Sequence, residues 1–359
     1  MKERQAAGKI QTVLGIIDAD SLGVTTTHEH LLSDMSGWFV EPRQATERRL
    51  AHEPVTLNNL WWVRSHTTMN ADNIKLTDER LAIKEVLSFK CEGGNSIVEL
   101  SSVGLGRDPS GLARISRATG LNIIMGSGYY IGTSHPVALA TMSEREIAEE
   151  IIKDITVGVG DTGIRAGIIG EIGCSMPLEE GERKVLRASA IAQQSTGAAI
   201  NIHPSPSDDL VLEIIQILRD AGGDLSRTII SHIGLWILGR DTCHRIADAG
   251  CYLEYDRFST TAEVYPPYFL RGRHLKPLSE IQKINDIAEL IAEGYLNQIL
   301  VAQDICFKHC LMSYGGCGYG HLLRDVVPVM RASGITGEQI QTLLVENPKR
   351  VLQFCPARQ

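Results

Sequence analysis

Eight short apolar runs recur along the chain, and each of them ends in polar residues. Near-continuous apolar runs of four or five residues are typical of strands buried on both faces of a parallel sheet. We therefore predict eight strands, at residues 24–27, 96–100, 122–125, 166–170, 198–202, 228–231, 251–254 and 298–302.

Segments with the apolar spacing of an amphipathic helix lie between most of these runs. Acidic residues begin several of the segments and glycines follow them, which matches the polarity of a helix. Strands that alternate with helices build a parallel sheet, and eight such strands close as an α/β fold of the (β/α)8 TIM barrel type. An open doubly wound sheet is the alternative, although no GxGxxG motif follows an early strand. The predicted helices are 77–92, 143–154, 182–194, 208–221 and 280–293.

Three segments are longer than ordinary connecting loops, namely 31–76, 256–279 and 305–322. They follow the first, seventh and eighth predicted strands, so in a barrel they lie at the C-terminal mouth, where active sites sit. The first 22 residues predict an N-terminal hairpin that turns at Asp18-Ala19-Asp20. We expect one domain over residues 1–359, with the barrel strands within 24–304 and the last loop and C-terminal helices in 305–359.

The composition is that of a soluble globular protein, with 43% hydrophobic and 22% charged residues in 359. The net charge of -8 argues against a nucleic-acid partner, which normally meets a basic face. No apolar window is long enough to span a membrane, and the N-terminus does not have the pattern of a signal peptide. The eight cysteines include no CxxC pair, so a reduced, cytoplasmic protein is expected.

Histidine and carboxylate residues mark the ends of five predicted strands. His28 and His30 are two positions apart, so they face the same side of the first strand. Only 11 histidines occur in the chain, and four of them fall at strand ends. A barrel brings such ends together, and four imidazoles with two carboxylates are about the ligand set that two divalent ions need. The candidate metal ligands are His28, His30, Glu171, His203, His232 and Asp304.

Several motifs resemble the phosphotriesterase family of the amidohydrolase superfamily, from about residue 9 to the C-terminus. Two further motifs, Gly104-Leu105-Gly106-Arg107-Asp108-Pro109 and Cys251-Tyr252-Leu253-Glu254-Tyr255-Asp256, are typical of its phosphotriesterase-related protein branch. The motifs that carry the family resemblance are residues 9–15, His28-Glu29-His30, Gly170-Glu171-Ile172-Gly173-Cys174, Ile202-His203-Pro204, Ser231-His232 and Asn347-Pro348.

This resemblance implies a distorted barrel with a binuclear metal site. It assigns His28, His30 and Asp304 to the more buried ion, and His203 and His232 to the more exposed one. Glu171 takes the bridging position, which a carbamylated lysine occupies in many family members. Zinc suits a histidine-rich site, although manganese, iron and cobalt ions fit the same ligands. The sequence departs from the branch at Gln303, where histidine is expected, and we expect this glutamine to line the mouth.

The resemblance also implies a metal-dependent hydrolase that uses a metal-bridging hydroxide. In this hypothesis Asp304 accepts the proton and His232 relays it, so both are catalytic. We expect a carbonyl substrate, that is, a lactone, an ester or an N-acyl amide. The alternatives are a phosphotriester hydrolase and a non-catalytic protein that binds a small molecule; a single-metal lyase or isomerase is a third.

The mouth segments supply candidate substrate contacts. Their cations could hold an anionic group on a small-molecule substrate, and Arg257 and Lys308 lie closest to strand ends. Arg271, Arg273 and Lys276 are further cations in the same segments. Aromatic residues could add an apolar pocket, and the candidates are Tyr129, Tyr130, Trp38 and Trp61. We expect no nucleic-acid or membrane partner, and a homodimer is a further hypothesis.

Overall fold

The computed structural model describes residues 7–236, 239–258 and 277–357. Within these residues the chain forms twelve strands and twelve α-helices. The strands are β1 (Lys9–Thr12), β2 (Gly15–Asp18), β3 (Thr25–Glu29), β4 (Ser33–Asp34), β5 (Lys75–Leu76), β6 (Ser96–Glu99), β7 (Asn122–Ser127), β8 (Ile168–Cys174), β9 (Ile200–Pro204), β10 (Thr228–Ile233), β11 (Tyr252–Tyr255) and β12 (Ile299–Val301). The helices are α1 (Ala45–His52), α2 (Leu60–Val63), α3 (Glu79–Cys91), α4 (Pro109–Thr119), α5 (Glu144–Thr156), α6 (Glu180–Thr196), α7 (Asp208–Asp220), α8 (Arg240–Asp248), α9 (Glu280–Ala292), α10 (Val327–Ala332), α11 (Gly337–Gln341) and α12 (Asn347–Leu352).

Eight parallel strands form the central sheet in the order β3, β6, β7, β8, β9, β10, β11, β12. The backbone N–H of Asp304 donates to the carbonyl of His28 at 2.9 Å, and that of His30 donates to the carbonyl of Ile305 at 3.3 Å. These hydrogen bonds join the first and last strands at their carboxyl ends, so the sheet is a nearly closed barrel. The predicted TIM barrel is confirmed, every predicted strand overlaps an observed one, and the open sheet is wrong.

Side chains on the barrel strands alternate between an outer and an inner core, as the period of two requires. The outward side chains pack beneath the helices; Ile97, Ile123, Ile169, Ile230 and Ile299 are among them. The inward side chains of the N-terminal halves form a second, apolar core. Its strand members include Val98, Ile124, Ile168, Ile229 and Leu300.

The N-terminal hairpin covers the bottom of the barrel, where Ile10 joins the inner apolar core. Thr12 pairs with Gly15, so the hairpin turns at Val13-Leu14 and the predicted turn at Asp18-Ala19-Asp20 is wrong. The Thr12 hydroxyl accepts from the N–H of Leu14 and donates to the carbonyl of Gly15, which stabilises the tight turn. Gly15 has a φ of +128°, a backbone conformation that favours glycine.

Side-chain caps fix where several helices begin. Asp78 accepts from the N–H groups of Arg80 and Leu81 at the start of α3, and Ser143 forms a capping box with Glu146 at the start of α5. All five predicted helices are present. Helices α4 and α8, which were not predicted from the sequence, complete the ring of helices around the sheet.

The three predicted mouth segments differ in structure. Segment 31–76 contains the antiparallel ribbon of β4 and β5 together with α1 and α2, and Trp62 lies in a small core of its own there. Segment 305–322 contains short 3-10 turns. Of segment 256–279 only residues 256–258 and 277–279 are described, so Arg271, Arg273 and Lys276 lie outside the described residues. No helix in the described part of the chain is long and apolar enough to cross a membrane.

Candidate metal centre

Six histidine and carboxylate side chains converge at the carboxyl ends of five barrel strands. All six are buried, with at most 7% of each residue exposed. The period of two on β3 aims both of its histidines inward, and the other four come from the ends of β8, β9, β10 and β12. The structure thus brings together every candidate metal ligand that the sequence indicates: His28, His30, Glu171, His203, His232 and Asp304.

The carboxylate of Glu171 lies between two pairs of histidines. Its Oε1 is 3.3 Å from Nε2 of His30, and its Oε2 is 3.4 Å from Nε2 of His28. The same Oε2 is 3.0 Å from Nδ1 of His203, and Nδ1 of His203 is 2.7 Å from Nε2 of His232. Two triads that could each hold an ion therefore share one residue, because Glu171 completes both of them.

One ring nitrogen shows that this donor set suits a metal ion. Nε2 of His28 is buried and has no hydrogen-bond partner among the described residues. Its other nitrogen, Nδ1, lies 3.0 Å from Oε2 of Glu254, so a proton held on Nδ1 leaves Nε2 as the ligand atom that faces the cluster. Imidazole nitrogens and carboxylate oxygens are common ligands of divalent ions.

The electrostatics of the cluster favour a cation. Burial lowers the pKa of His30, but hydrogen bonds and charges from Asp304 and Glu171 outweigh burial and raise it to about 9. Burial raises the pKa of Glu171, but the charges of His203 and His28 dominate and hold it well below its usual range. The site therefore retains protons when no metal is bound, and a divalent ion has to displace them.

Asp304 is held by Arg257 from the side of the pocket. Nη1 of Arg257 donates to the backbone carbonyl of Asp304 at 2.7 Å and lies 3.3 Å from its Oδ2. Burial raises the pKa of this carboxyl group, but the Arg257 guanidinium and the His28 imidazole outweigh burial and keep the pKa far below its usual value. Asp304 is therefore an anion in the folded protein.

Backbone strain is concentrated at the same place. In residues 7–236, 239–258 and 277–357, the non-glycine residues with positive φ are His232 (+65°), Arg257 (+59°) and Asp304 (+49°). Each such residue costs about 1–3 kcal/mol and persists only where the surroundings impose it. All three follow or end barrel strands at the mouth, so the fold holds its least favourable backbone at the cluster.

A cavity opens above the cluster. Aromatic rings form much of its wall, and Tyr130 Oη lies 3.2 Å from Nε2 of His203. The Trp236 ring centroid is 4.9 Å from that of His203. The Arg257 guanidinium also lines the cavity and lies 5.5 Å from the centroid of the Phe307 ring. Trp38 is a further lining residue, so the wall combines aromatic rings with the Arg257 guanidinium.

Three predicted pocket residues do not reach this cavity. Tyr129 precedes Tyr130 and points the other way, where its hydroxyl donates to Glu150. The ammonium of Lys308 pairs with Asp72 instead of facing the cavity. Trp61 is 68% exposed on the outer surface.

Gln303 does not line the mouth either. It is fully buried, and its Nε2 donates to the backbone carbonyl of Tyr319 at 2.6 Å. Its backbone N–H donates to Oε1 of Glu29, which also accepts from the hydroxyl of Thr26. Gln303 and Asp304 are adjacent, and their side chains point in opposite directions. The side chain of Gln303 therefore points away from the cluster and supports the segment 305–322.

The residues that hold the histidines in place were not among the candidates from the sequence. Glu254 meets His28 as described above, and Oδ2 of Asp256 lies 2.9 Å from Nδ1 of His232. Ser101 Oγ lies 3.0 Å from Nδ1 of His30. The available signal was a charged residue inside an apolar strand, because Glu254 interrupts the apolar run of β11.

Comparison with known proteins fits this geometry. The model of the phosphotriesterase family matches residues 8–352, which is nearly the whole chain. The chain belongs to the phosphotriesterase family. Curated relatives in this family include an N-acetyltaurine hydrolase from Dictyostelium discoideum, which is 40% identical over 96% of this chain and 98% of its own length. A phosphotriesterase-related protein from Nematostella vectensis is also 40% identical, over 97% of this chain and 99% of its own.

The fold of this family member is matched closely by a solved structure. A resiniferatoxin-binding protein from Rhodobacter sphaeroides superposes with a TM-score of 0.92 and 34% identity, over 96% of this chain and 95% of the other. Family membership and these relatives make the chain a hydrolase, and its buried histidine and carboxylate groups can hold metal. The predicted family and branch are confirmed.

Proposed function

We propose that this protein hydrolyses the amide bond of small N-acyl amines that carry an anionic head group, with N-acetyltaurine as the first candidate substrate. The observation that carries the proposal is the six-residue cluster beneath a cavity that aromatic rings and the Arg257 guanidinium line. The choice of an amide within the carbonyl class rests on relatives that are 40% identical over nearly their whole length.

The ligand set supports two divalent ions. His28 and His30 would hold one of them, His203 and His232 the other, with Glu171 between the pairs and Asp304 beside the first. Zinc is the ion we expect, because four imidazoles and two oxygen ligands suit it. When bound, such ions polarise a carbonyl oxygen and lower the pKa of water to near neutrality.

The chain's own residues manage the proton in this proposal. Asp304 is anionic and lies at the cavity floor, so its carboxylate accepts the proton of the attacking water. Nδ1 of His232 lies 3.9 Å from Oδ2 of Asp304 and 2.9 Å from Oδ2 of Asp256, so the imidazole links the two carboxylates and can carry that proton onwards. The water oxygen bonds to the carbonyl carbon, the C–N bond breaks, and the departing nitrogen takes a proton to leave as the free amine.

The cavity supports one orientation of the substrate. A sulfonate or carboxylate is attracted to the side that Arg257 lines, because guanidinium groups pair well with planar or tetrahedral oxyanions. The acyl group then lies towards Trp38, Tyr130 and Trp236, which are apolar apart from single polar atoms. This arrangement places the amide carbonyl above the cluster.

A substrate panel tests the proposal. Metal-loaded protein is assayed with N-acetyltaurine, its uncharged analogue N-acetylethylamine, an aryl acetate, a γ-lactone and a diethyl aryl phosphate. We expect the highest kcat/KM for N-acetyltaurine. The uncharged amide should be about 10–100-fold slower, since a charge-assisted hydrogen bond contributes about 1.5–3 kcal/mol. A phosphotriester or lactone that exceeds N-acetyltaurine by about tenfold contradicts the substrate class.

A further inference from the structure

Glu254 is a buried carboxylate that no step of the proposed reaction uses. It lies on β11 and is fully buried, and its side chain points into the barrel while Leu253 and Tyr255 pack in the outer core. Among the described residues, one oxygen, Oε2, accepts every hydrogen bond to the side chain, including the one from Nδ1 of His28 at 3.0 Å. It thus lies directly behind one candidate metal ligand.

Two neighbouring strands hold this carboxylate in place. Asn201 of β9 donates from Nδ2 to Oε2 of Glu254 at 2.9 Å, and Ser231 of β10 donates from Oγ at 2.6 Å. The other oxygen, Oε1, has no hydrogen-bond partner among the described residues. The donors are therefore arranged to fix one oxygen atom opposite the His28 ring.

We infer that Glu254 is a positioning residue that fixes the tautomer and orientation of His28 for metal binding, an inference that rests on the metal centre of the proposed function. A carboxylate that accepts from Nδ1 keeps the proton there and leaves Nε2 as the ligand atom, facing Glu171 at 3.4 Å. The negative charge also makes the imidazole a stronger donor to a cation.

The burial of Glu254 agrees with this role. An ionised carboxylate inside a barrel is costly even when it is hydrogen-bonded, and a well-packed apolar side chain often serves stability as well or better. The lower part of the same barrel is filled with such side chains, including Val98 and Leu300. The carboxylate is placed where the interior changes from apolar residues to ligands.

The experiment measures Co²⁺ binding by the full-length protein and by the variant Glu254→Gln. Gln keeps the shape and one acceptor oxygen but removes the charge. We expect two Co²⁺ per chain in the wild type. In the variant, one of the two ions should bind about 10–100-fold more weakly, the range typical of outer-shell partners, and the visible spectrum of the Co²⁺ protein should change.

Glu85→Gln is the matched control. Glu85 on α3 is also a fully buried carboxylate, but it accepts from the backbone N–H groups of Met312 and Ser313 and contacts no candidate ligand. This control should keep the wild-type Co²⁺ affinity and spectrum. Should Glu254→Gln fail to fold, Asn201→Ala and Ser231→Ala each remove one hydrogen bond from the carboxylate and should weaken the same ion by roughly threefold to tenfold.

The outcomes distinguish failure of the role of Glu254 from failure of the proposed metal centre. A wild type that binds two Co²⁺ ions, together with a Glu254→Gln variant of equal affinity and spectrum, overturns the role of Glu254 alone. Equal losses in Glu254→Gln and Glu85→Gln also overturn it, because the effect would then be general to buried carboxylates. A wild type that binds no Co²⁺ overturns the metal centre and the inference with it.

Discussion

The two halves of the barrel interior bury opposite kinds of side chain. In the lower half the inward side chains are apolar and fully buried, with Ile229 and Leu300 as examples. In the upper half they are imidazoles and carboxylates, equally buried, on a backbone that includes positive φ at His232 and Asp304. The change takes place within single strands, since Ile229 and His232 both belong to β10.

This difference separates the sources of stability and function. In the lower half, the side chains that are buried are also hydrophobic. This agreement between residue type and burial is how a sequence specifies a fold. The upper half combines buried charged side chains with residues of positive φ. Both features are costly, and both are expected at functional sites. We therefore expect substitutions in the lower half to change stability and substitutions in the upper half to change activity.

Loss of the shared ligand should have the largest effect. In the proposed centre, Glu171→Gln replaces the carboxylate between the two ions with a neutral amide, so both ions should bind more weakly. We expect kcat/KM for N-acetyltaurine to fall by more than about 1000-fold, or about 4 kcal/mol, because a direct ligand should exceed the 10–100-fold range of outer-shell partners. Elemental analysis and steady-state kinetics measure both effects, with Glu85→Gln as the control. Unchanged metal content in Glu171→Gln would rule out bridging.

A cavity in the lower half should affect stability alone. Ile229→Ala removes a buried side chain from the inner apolar core and should lower the free energy of unfolding by about 2–5 kcal/mol. The folded variant should retain wild-type kcat/KM, because Ile229 belongs to the inner apolar core, which includes none of the six candidate ligands. Denaturant unfolding and kinetics at a temperature where the variant is folded check this. A drop in kcat/KM beyond tenfold would show that the two halves are coupled.

The complementary substitution on the same strand should leave stability almost unchanged. Asn tolerates positive φ better than most residues, so His232→Asn relieves backbone strain while it loses the hydrogen bond to His203. We expect the unfolding free energy of the metal-free variant to stay within about 1 kcal/mol of the wild type, with activity lost. Denaturant unfolding after chelation measures this. A loss as large as that of Ile229→Ala would assign His232 a packing role.

His309 lies in segment 305–322, outside both halves of the barrel interior, and allows a pH-dependent test of stability. Burial, then the charges of Arg257 and Arg64, lowers the pKa of His309 to about 3. The unfolded chain takes up a proton on this residue near pH 6.5 and the folded chain does not, so stability falls as the pH drops below 6.5. His309→Gln cannot titrate and keeps a donor for Asn73.

We therefore expect the metal-free wild type to lose stability relative to His309→Gln by about 1 kcal/mol per pH unit between pH 6 and pH 4. Denaturant unfolding of both proteins at several pH values gives this difference directly. Parallel profiles would show that His309 becomes charged without penalty in the folded protein.

The sequence predicts the barrel well because its strands are apolar runs whose ends carry the candidate ligands. Helix α4 was missed even though Asp108 caps it, Pro109 begins it and Gly120 ends it in the left-handed conformation. These signals are local and lie next to the motif of residues 104–109, so the helix could have been predicted from its caps. Helix α8 is short and largely polar, and buries only short side chains and Ile246, so few apolar residues mark it in the sequence.

The direction of a side chain in a loop is harder to predict than the end of a strand. Nothing local distinguishes Tyr129 from Tyr130, and only the folded loop shows which one faces the cavity. Lys308 finds its partner, Asp72, 236 residues away in another mouth segment. Long-range pairing of this kind has no periodic signal, so the direction of these side chains was predicted less well than the convergence of the candidate ligands.

Anomalous diffraction from crystals of the zinc-loaded protein tests the central claim most directly. Data collected on both sides of the zinc absorption edge locate each ion without reference to activity. We predict two zinc peaks per chain, one at His28 and His30 and one at His203 and His232, with Glu171 in contact with both. A single peak, or two peaks that Glu171 does not bridge, would contradict the account.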